Sequence, residues 1–111
     1  CISATLRDYA RLGMFALNDG VLPSGERVLP EGWMNLSTEP SPGYDGYGFM
    51  WWLTGDERFR ASGIFGQKIF IDPETNVVIA AHSNAKTATG SAYAKELSAV
   101  LLAITDALRA E

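Results

Sequence analysis

The fold is indicated by one stretch of the sequence, Gln67-Lys-Ile-Phe-Ile-Asp-Pro-Glu-Thr-Asn-Val-Val-Ile-Ala-Ala81. Two apolar runs, residues 67–71 and 76–81, flank Asp72-Pro-Glu-Thr, where proline presets the backbone for a turn and asparagine follows. Short apolar runs on either side of such a turn are typical of a β-hairpin. We therefore predict two antiparallel strands joined at residues 72–75.

Further extended segments are predicted before this hairpin. Residues 47–53 are aromatic and apolar without a break, which is typical of a strand buried on both faces or of one whose outer face binds a ligand. A polar turn then leads to an extended segment at about residues 59–64. At least three antiparallel strands are therefore expected between residues 46 and 82.

Apolar residues at helical spacing predict a helix on each side of the strands. The first helix is expected at about residues 5–18, where Thr5 and Asp8 have the spacing of a capping box and Gly20 can end the helix. Its apolar face comprises Leu6, Tyr9, Ala10, Gly13, Met14 and Leu17. The last helix is expected at about residues 91–109. Its apolar face comprises Tyr93, Leu97, Val100, Leu101, Ile104 and Leu108.

These elements predict an α/β fold of the α+β type. A sheet and two helices each have an apolar face that must be covered, so we expect an antiparallel sheet of three or more strands with the N-terminal and C-terminal helices packed on it. A short helix is also expected after Pro30, before a turn-rich loop at residues 38–46. The length of 111 residues suits one domain or part of one.

Composition excludes several classes of protein. The chain is 47% apolar and 20% charged with a net charge of −4, which argues against a disordered tail and against a strongly basic nucleic-acid binder. No apolar stretch reaches the roughly 18–20 residues of a membrane span. The single cysteine, Cys1, allows no internal disulfide and no metal-binding spacing, so we expect no metal and no cofactor. A start at Cys1 leads us to expect residues upstream. The compartment stays open between periplasm and cytoplasm.

Taken singly, the reactive groups form no catalytic set. His82 is the only histidine and follows an apolar strand, which favours a hydrogen-bonded structural role over catalysis. Ser83 and Lys86 have the Ser-x-x-Lys spacing that puts a serine and a lysine base on one side of a helix turn. The polar segment around them is typical of a loop, so we interpret the match as chance. Cys1 has no neighbouring base.

The remaining candidate is Gly63-Ile-Phe-Gly-Gln67. Two glycines three residues apart let a backbone approach a ligand closely, and an edge strand can offer an unpaired N–H to a developing oxyanion. From the residues alone, a β-bulge packed beneath aromatic side chains is the favoured interpretation. Both interpretations stay open at this point.

Three segments, in this order, resemble β-lactamase-like serine hydrolases. They are Ile2-Ser-Ala-Thr-Leu-Arg-Asp-Tyr-Ala-Arg-Leu-Gly13, Tyr47-Gly-Phe-Met-Trp-Trp52, and Gly63-Ile-Phe-Gly-Gln-Lys-Ile-Phe-Ile-Asp-Pro73 followed by Asn76-Val-Val-Ile79. The branch of 6-aminohexanoate-dimer hydrolases and their esterase-like relatives is the most similar. The resemblance covers nearly the whole chain and corresponds to the last third of such enzymes. It implies that residues 1–111 are the C-terminal portion of one β-lactamase-like domain.

The resemblance also implies the chemistry. Serine nucleophile, lysine and tyrosine are expected in the upstream part of the same polypeptide, so the 111-residue piece alone is expected to be inactive. Gly63 and Ile64 match the strand motif that is Lys-Thr-Gly in β-lactamases, with the Ile64 N–H completing an oxyanion hole. Tyr47, Trp51 and Phe65 are the candidates for contact with substrate. Because the lysine and hydroxyl of Lys-Thr-Gly are absent, a small amide or ester cleaved through an acyl-enzyme fits better than a β-lactam. Association into a homo-oligomer is left open.

A free-standing, non-catalytic α/β module that binds a peptide or a protein is the alternative. It is supported by a group of aromatic residues that would line an exposed groove. The group comprises Tyr44, Tyr47, Phe49, Trp51 and Trp52. An upstream Ser-x-x-Lys in the same reading frame would support the hydrolase, whereas a start codon directly before Cys1 would support the module.

Overall fold

The computed structural model describes residues 2–111, and Cys1 lies outside the described residues. It contains three helices and four strands. In chain order they are α1 (Leu6–Leu17), α2 (Trp33–Ser37), β1 (Trp52–Leu53), β2 (Phe59–Ser62), β3 (Lys68–Asp72), β4 (Val77–Ala81) and α3 (Ala92–Arg109). The strands form one antiparallel sheet in the order β1-β2-β3-β4. The predicted α+β fold is confirmed. No helix within residues 2–111 is long and apolar enough to cross a membrane.

The register of the strands separates the two faces of the sheet. Phe59 pairs with Ile71, and Ile71 pairs with Val78, so these side chains point to the same face. This face contacts α1 and holds the main core. Alternation then places Phe70 and Asp72 on the opposite face, which lies against α3. The sheet is therefore covered by one helix on each side.

Helix α1 begins as predicted, but its buried face is narrower than predicted. The Thr5 hydroxyl accepts from the Asp8 N–H at 3.2 Å, which caps the first turn. A Cβ on Gly13 would overlap Val78 and lie 2.9 Å from Ile69 Cγ2, so the helix rests directly on the sheet at this glycine. Gly13 and Ala16 are the buried residues of the helix. Two members of the predicted face, Leu6 and Met14, are more than 40% exposed at 44% and 42%.

Helix α2 is the short helix expected after Pro30. Its first turn receives a cap from outside, because the Asp19 carboxylate accepts from the N–H groups of Gly32 and Met34 at 2.9 and 3.0 Å. Met34 is buried and joins the core, whereas Trp33 on the same helix stays exposed. The helix therefore contributes one core side chain.

Helix α3 is confirmed over residues 92–109, but the predicted face is rotated. Leu101 is buried as expected, and so is Thr105, which was not predicted. Ile104 and Leu108 were predicted to be buried and are instead exposed. Polar bonds set this rotation, because they hold the Thr105 side of the helix against the sheet.

These polar bonds form an ion network at the end of the sheet. Arg58 donates to the Thr105 hydroxyl at 3.1 Å and pairs with Asp56 and Asp106. Arg109 at the end of α3 pairs with the fully buried Asp72. The guanidinium groups of Arg58 and Arg109 bridge the sheet and α3. They therefore fix both the position of α3 along the sheet and its rotation.

The prediction of one continuous strand over residues 47–53 is wrong. Tyr47 pairs with Trp52, and the Gly48 N–H donates to the Trp51 carbonyl at 2.9 Å. Met50 has a φ of 69°, which closes the turn between them. Only residues 52 and 53 join the sheet as β1. The aromatic run therefore folds back on itself as a tight turn, with Phe49 and Met50 exposed.

Candidate active site

The segment between β2 and β3 is a tight hairpin turn. The Gly63 N–H donates to the Gln67 carbonyl at 2.8 Å, and the Gly66 N–H donates to the Gly63 carbonyl at 3.1 Å. Gly66 has a φ of 90°, a conformation that favours glycine. This bond pattern is that of a three-residue hairpin loop closed by a glycine bulge. The predicted bulge is therefore present, at Gly66.

Among the four N–H groups of this turn, that of Ile64 stands apart. Those of Gly63 and Gly66 are bonded as above, and the Phe65 N–H donates to Gln67 Oε1 at 3.2 Å. Within residues 2–111, the Ile64 N–H meets no acceptor. Ile64 is 58% exposed. The turn thus holds one free N–H among bonded neighbours.

A second segment supports the turn from the side. The Thr89 N–H donates to the Ile64 carbonyl at 2.9 Å, and the Ala85 N–H donates to the Phe65 carbonyl at 3.0 Å. Both donors belong to the irregular segment of residues 82–90 that leads into α3. These bonds fix the two peptide planes that follow Ile64, while the plane that carries the Ile64 N–H is held by the bond from the Gly66 N–H to the Gly63 carbonyl.

Gly63 has a role that the sequence did not indicate. A Cβ at this position would overlap Gln67 Oε1 and lie 2.9 Å from Gln67 Cδ. The space that glycine leaves is therefore filled by the Gln67 side chain, which supports the turn. The close contact predicted at this glycine is therefore made by the Gln67 side chain of the same turn.

An open groove of about 700 Å³ runs beside the turn. Its lining includes Gly63 and Ile64 from the turn, residues 2–4 and Tyr9 from the start of the chain, and His82 from the end of the sheet. The rings of Tyr9 and His82 meet edge to face at 5.4 Å, and the Tyr9 hydroxyl donates to the Ile2 carbonyl at 2.5 Å. Residues that are distant in sequence therefore line one groove together with Ile64, whose N–H is free.

The other predicted contact residues lie elsewhere. Trp51 packs against Phe59 in the core at 5.1 Å between ring centroids, and Tyr47 packs against Trp52 at 4.8 Å. Phe65 belongs to the turn and is 39% exposed, but it does not line the groove. The structure brings Gly63 and Ile64 together with Tyr9 and His82, which sequence spacing does not connect.

The Ser-x-x-Lys match is a chance match, as interpreted. Ser83 and Lys86 lie in the irregular segment, so no helix turn puts them on one side. Within residues 2–111 no hydrogen bond joins their side chains. His82 departs from expectation, because its side chain makes an aromatic contact with Tyr9 and no hydrogen bond within the part of the chain that the structure describes.

Comparison with known proteins identifies the family. The beta-lactamase family model matches residues 2–103. The 6-aminohexanoate-dimer hydrolase of Paenarthrobacter ureafaciens is 38% identical over a 93-position alignment that covers 70% of this chain and 24% of that protein. A solved structure from Bacillus anthracis, provisionally named a 6-aminohexanoate-dimer hydrolase, superposes with a TM-score of 0.77 at 28% identity, over 96% of this chain and 29% of that one.

The extent of these matches defines what the chain represents. It spans about a quarter of the length of the curated relative that it matches. Sequence and backbone agree on the same group of proteins, since the 6-aminohexanoate-dimer hydrolase name recurs in both comparisons. This chain belongs to the beta-lactamase family and is part of a beta-lactamase-like serine hydrolase similar to the 6-aminohexanoate-dimer hydrolases.

Proposed function

We propose that the complete protein is an amidase or esterase of small substrates, and that this chain supplies one oxyanion-hole donor, the Ile64 N–H. The free N–H of Ile64, beside the bonded N–H groups of Gly63, Phe65 and Gly66, is the observation that carries the proposal. The relatives that bear the 6-aminohexanoate-dimer hydrolase name support hydrolysis of an amide. The nucleophilic serine, its lysine and the assisting tyrosine belong to the part of the polypeptide outside residues 1–111.

The proposed reaction runs through an acyl-enzyme. The serine oxygen bonds to the substrate carbonyl carbon while its proton passes to the lysine, and negative charge develops on the carbonyl oxygen. The Ile64 N–H and the serine's own N–H stabilise this oxyanion. The C–N or C–O bond then breaks, the leaving amine or alcohol takes a proton, and water releases the acid.

A bonded turn suits this task for an energetic reason. Donors that are already oriented require no reorganisation when charge develops in the transition state. The bond from the Gly66 N–H to the Gly63 carbonyl holds the peptide plane of the Ile64 N–H, and the bonds from Thr89 and Ala85 hold the next two planes before any substrate arrives. Loss of one such donor typically reduces turnover by about 10²–10³.

The non-catalytic module receives less support. The aromatic residues that would form its groove are divided between packing sites, with Trp51 in the core and Tyr47 stacked on Trp52. The beta-lactamase family match also extends over residues 2–103, which supports the hydrolase. We therefore retain the hydrolase as the proposed function.

The substitution Ile64→Pro in the complete polypeptide tests the proposal. Ile64 is the second residue of the turn that begins at Gly63, a position that favours proline, and its N–H makes no bond that the fold would lose. We expect kcat to fall by about 10²–10³ with an unchanged Tm. Ile64→Val keeps the donor and serves as the matched control. A folded Ile64→Pro enzyme with wild-type turnover would show that the donor assignment is wrong.

A further inference from the structure

We propose that Arg60 and Lys68 form a binding site for one carboxylate on the face of the sheet that lies against α3. The register pairs Arg60 with Phe70 and Ser62 with Lys68, so Arg60 and Lys68 are diagonal neighbours on one face. Diagonal neighbours lie about 7–8 Å apart across a sheet, within reach of long side chains. The two cationic groups can therefore contact the same small anion.

Both cations lack an acidic partner. Arg60 Nε is buried and has no hydrogen-bond acceptor within the described chain. Lys68 Nζ donates to the Ser62 hydroxyl at 2.9 Å, and no carboxylate of residues 2–111 lies within ion-pair distance of either side chain. Buried donors are bonded in the great majority of proteins, so an orphan guanidinium nitrogen indicates a missing acceptor.

The neighbouring cations on the same face behave differently. Arg58, two residues before Arg60, pairs with Asp56 and Asp106, and Arg109 pairs with Asp72. The chain has 13 acidic residues against nine lysines and arginines, so carboxylates are not scarce. Among residues 2–111, Arg7, Lys86 and Lys95 also lack a carboxylate, but they are exposed, whereas Arg60 and Lys68 are the partly buried cations without one.

Electrostatics indicate the sign of the missing group. Burial lowers the pKa of Lys68, and the charge of Arg60 lowers it further. Burial also lowers the pKa of Arg60, whereas the interaction with nearby Tyr44 raises it. Two partly buried like charges repel each other, and an anion between them would reverse this repulsion.

A carboxylate matches the geometry of the available donors. The planar fork of Arg60 suits two oxygens in one plane, while the Lys68 ammonium is a point donor that turns toward either oxygen. Ser62 already accepts from Lys68, so its own hydroxyl proton is free to bond the anion. The carboxylate has two sources that share this chemistry, an Asp or Glu from the remainder of the hydrolase and a free small carboxylate.

Thermal unfolding of the complete polypeptide tests the site. If a carboxylate occupies it, Arg60→Met and Lys68→Met each lower the Tm by at least about 2 °C, because the anion loses a buried partner while the apolar stem is kept. If no anion is bound, the same changes relieve repulsion and leave the Tm unchanged or higher. Arg60→Met leaves the bond between Lys68 and Ser62 in place, so a fall in its Tm does not arise from loss of that bond, and Lys95→Met controls for removal of an exposed cation.

Sodium acetate, added against sodium chloride at constant ionic strength, distinguishes the two sources. A rise in the wild-type Tm that disappears in both variants assigns the site to a free carboxylate. Lower Tm values in the variants without any acetate effect assign it to an Asp or Glu of the hydrolase itself. Variants with unchanged or higher Tm values, together with no acetate effect, overturn the proposal. The oxyanion assignment of Ile64 is independent of either result.

Discussion

Arg109→Met should be among the most destabilising single changes at the surface of this chain. Asp72 is fully buried, and Arg109 contacts both of its oxygens, with Nη2 at 2.9 Å from Oδ1 and Nε at 3.2 Å from Oδ2. Without the guanidinium, the Glu74 N–H at 3.1 Å is a remaining donor to a buried charge. Breaking a buried pair by removing one partner costs about 3–5 kcal/mol. Arg109 itself is 22% exposed, so the lower end of that range, about 3 kcal/mol, is expected.

Urea denaturation of the complete polypeptide at pH 7 measures this effect. Arg11→Met is the matched control, because Arg11 pairs with Asp8 on the surface at 70% and 48% exposure, where water screens the pair and its loss should cost far less. The double variant Arg109→Met/Asp72→Asn should recover part of the loss, since it removes the stranded charge. If Arg109→Met costs no more than Arg11→Met, the buried pair does not support the fold as inferred.

The pH dependence has a defined sign. Burial alone would raise the pKa of Asp72, but hydrogen bonds, foremost that from Arg109, outweigh it and hold the pKa below its usual value. A lowered folded-state pKa contributes stability above the unfolded pKa of about 3.9 and loses it as the pH falls through the folded value. The difference between wild type and Arg109→Met should therefore be largest near neutral pH and should shrink below about pH 4.

Three further predictions concern single positions. Gly13→Ala should lower the free energy of unfolding by about 1–3 kcal/mol despite the higher helix propensity of alanine, because the new Cβ overlaps Val78; an unchanged urea midpoint would contradict the close helix contact. Gly66→Ala should lower the Tm and also turnover, since alanine strains the left-handed position that closes the turn. The 111-residue chain alone should not react with a fluorophosphonate probe, and labelling of Ser83 that is lost in Lys86→Ala would reveal a nucleophile that the irregular segment does not suggest.

The hairpin at residues 67–81 was predictable because both of its determinants are local. Proline at position 73 and the apolar runs beside it specify a turn and two strands without reference to the rest of the chain. The run at residues 47–53 was mispredicted because its turn depends on a distant contact. There the Phe49 N–H donates to the Ser37 carbonyl at 2.8 Å, and Ser37 belongs to α2.

Helix positions were predictable, whereas helix rotation was not. Apolar periodicity located α3, but the buried side is set by Thr105 and Arg109, two polar residues whose partners lie on the sheet. On α1 the buried side is set by a small residue, because Gly13 rather than a large apolar side chain lies closest to the sheet. Apolar periodicity shows where a helix lies. It does not show the polar bonds or the close contacts of small residues that set the rotation of the helix.

The candidate site was predictable only in part. Family resemblance located Ile64, whose N–H has no acceptor within residues 2–111. The groove lining from residues 2–4, Tyr9 and His82 was not predictable, because packing of α1 on the sheet brings these residues together. The spacing of residues along the sequence does not show which distant residues will pack together.

The bonds from Ala85 and Thr89 to the turn have a consequence for directed evolution. Both donors lie in a polar, exposed segment that contributes no element to the sheet, so its length can change at small energetic cost. Inserting or deleting one residue between positions 85 and 89 would displace the Ile64 and Phe65 carbonyls unequally and change the backbone geometry directly after Ile64. A library that varies loop length there would change the geometry of the turn without replacing any residue that lines the groove.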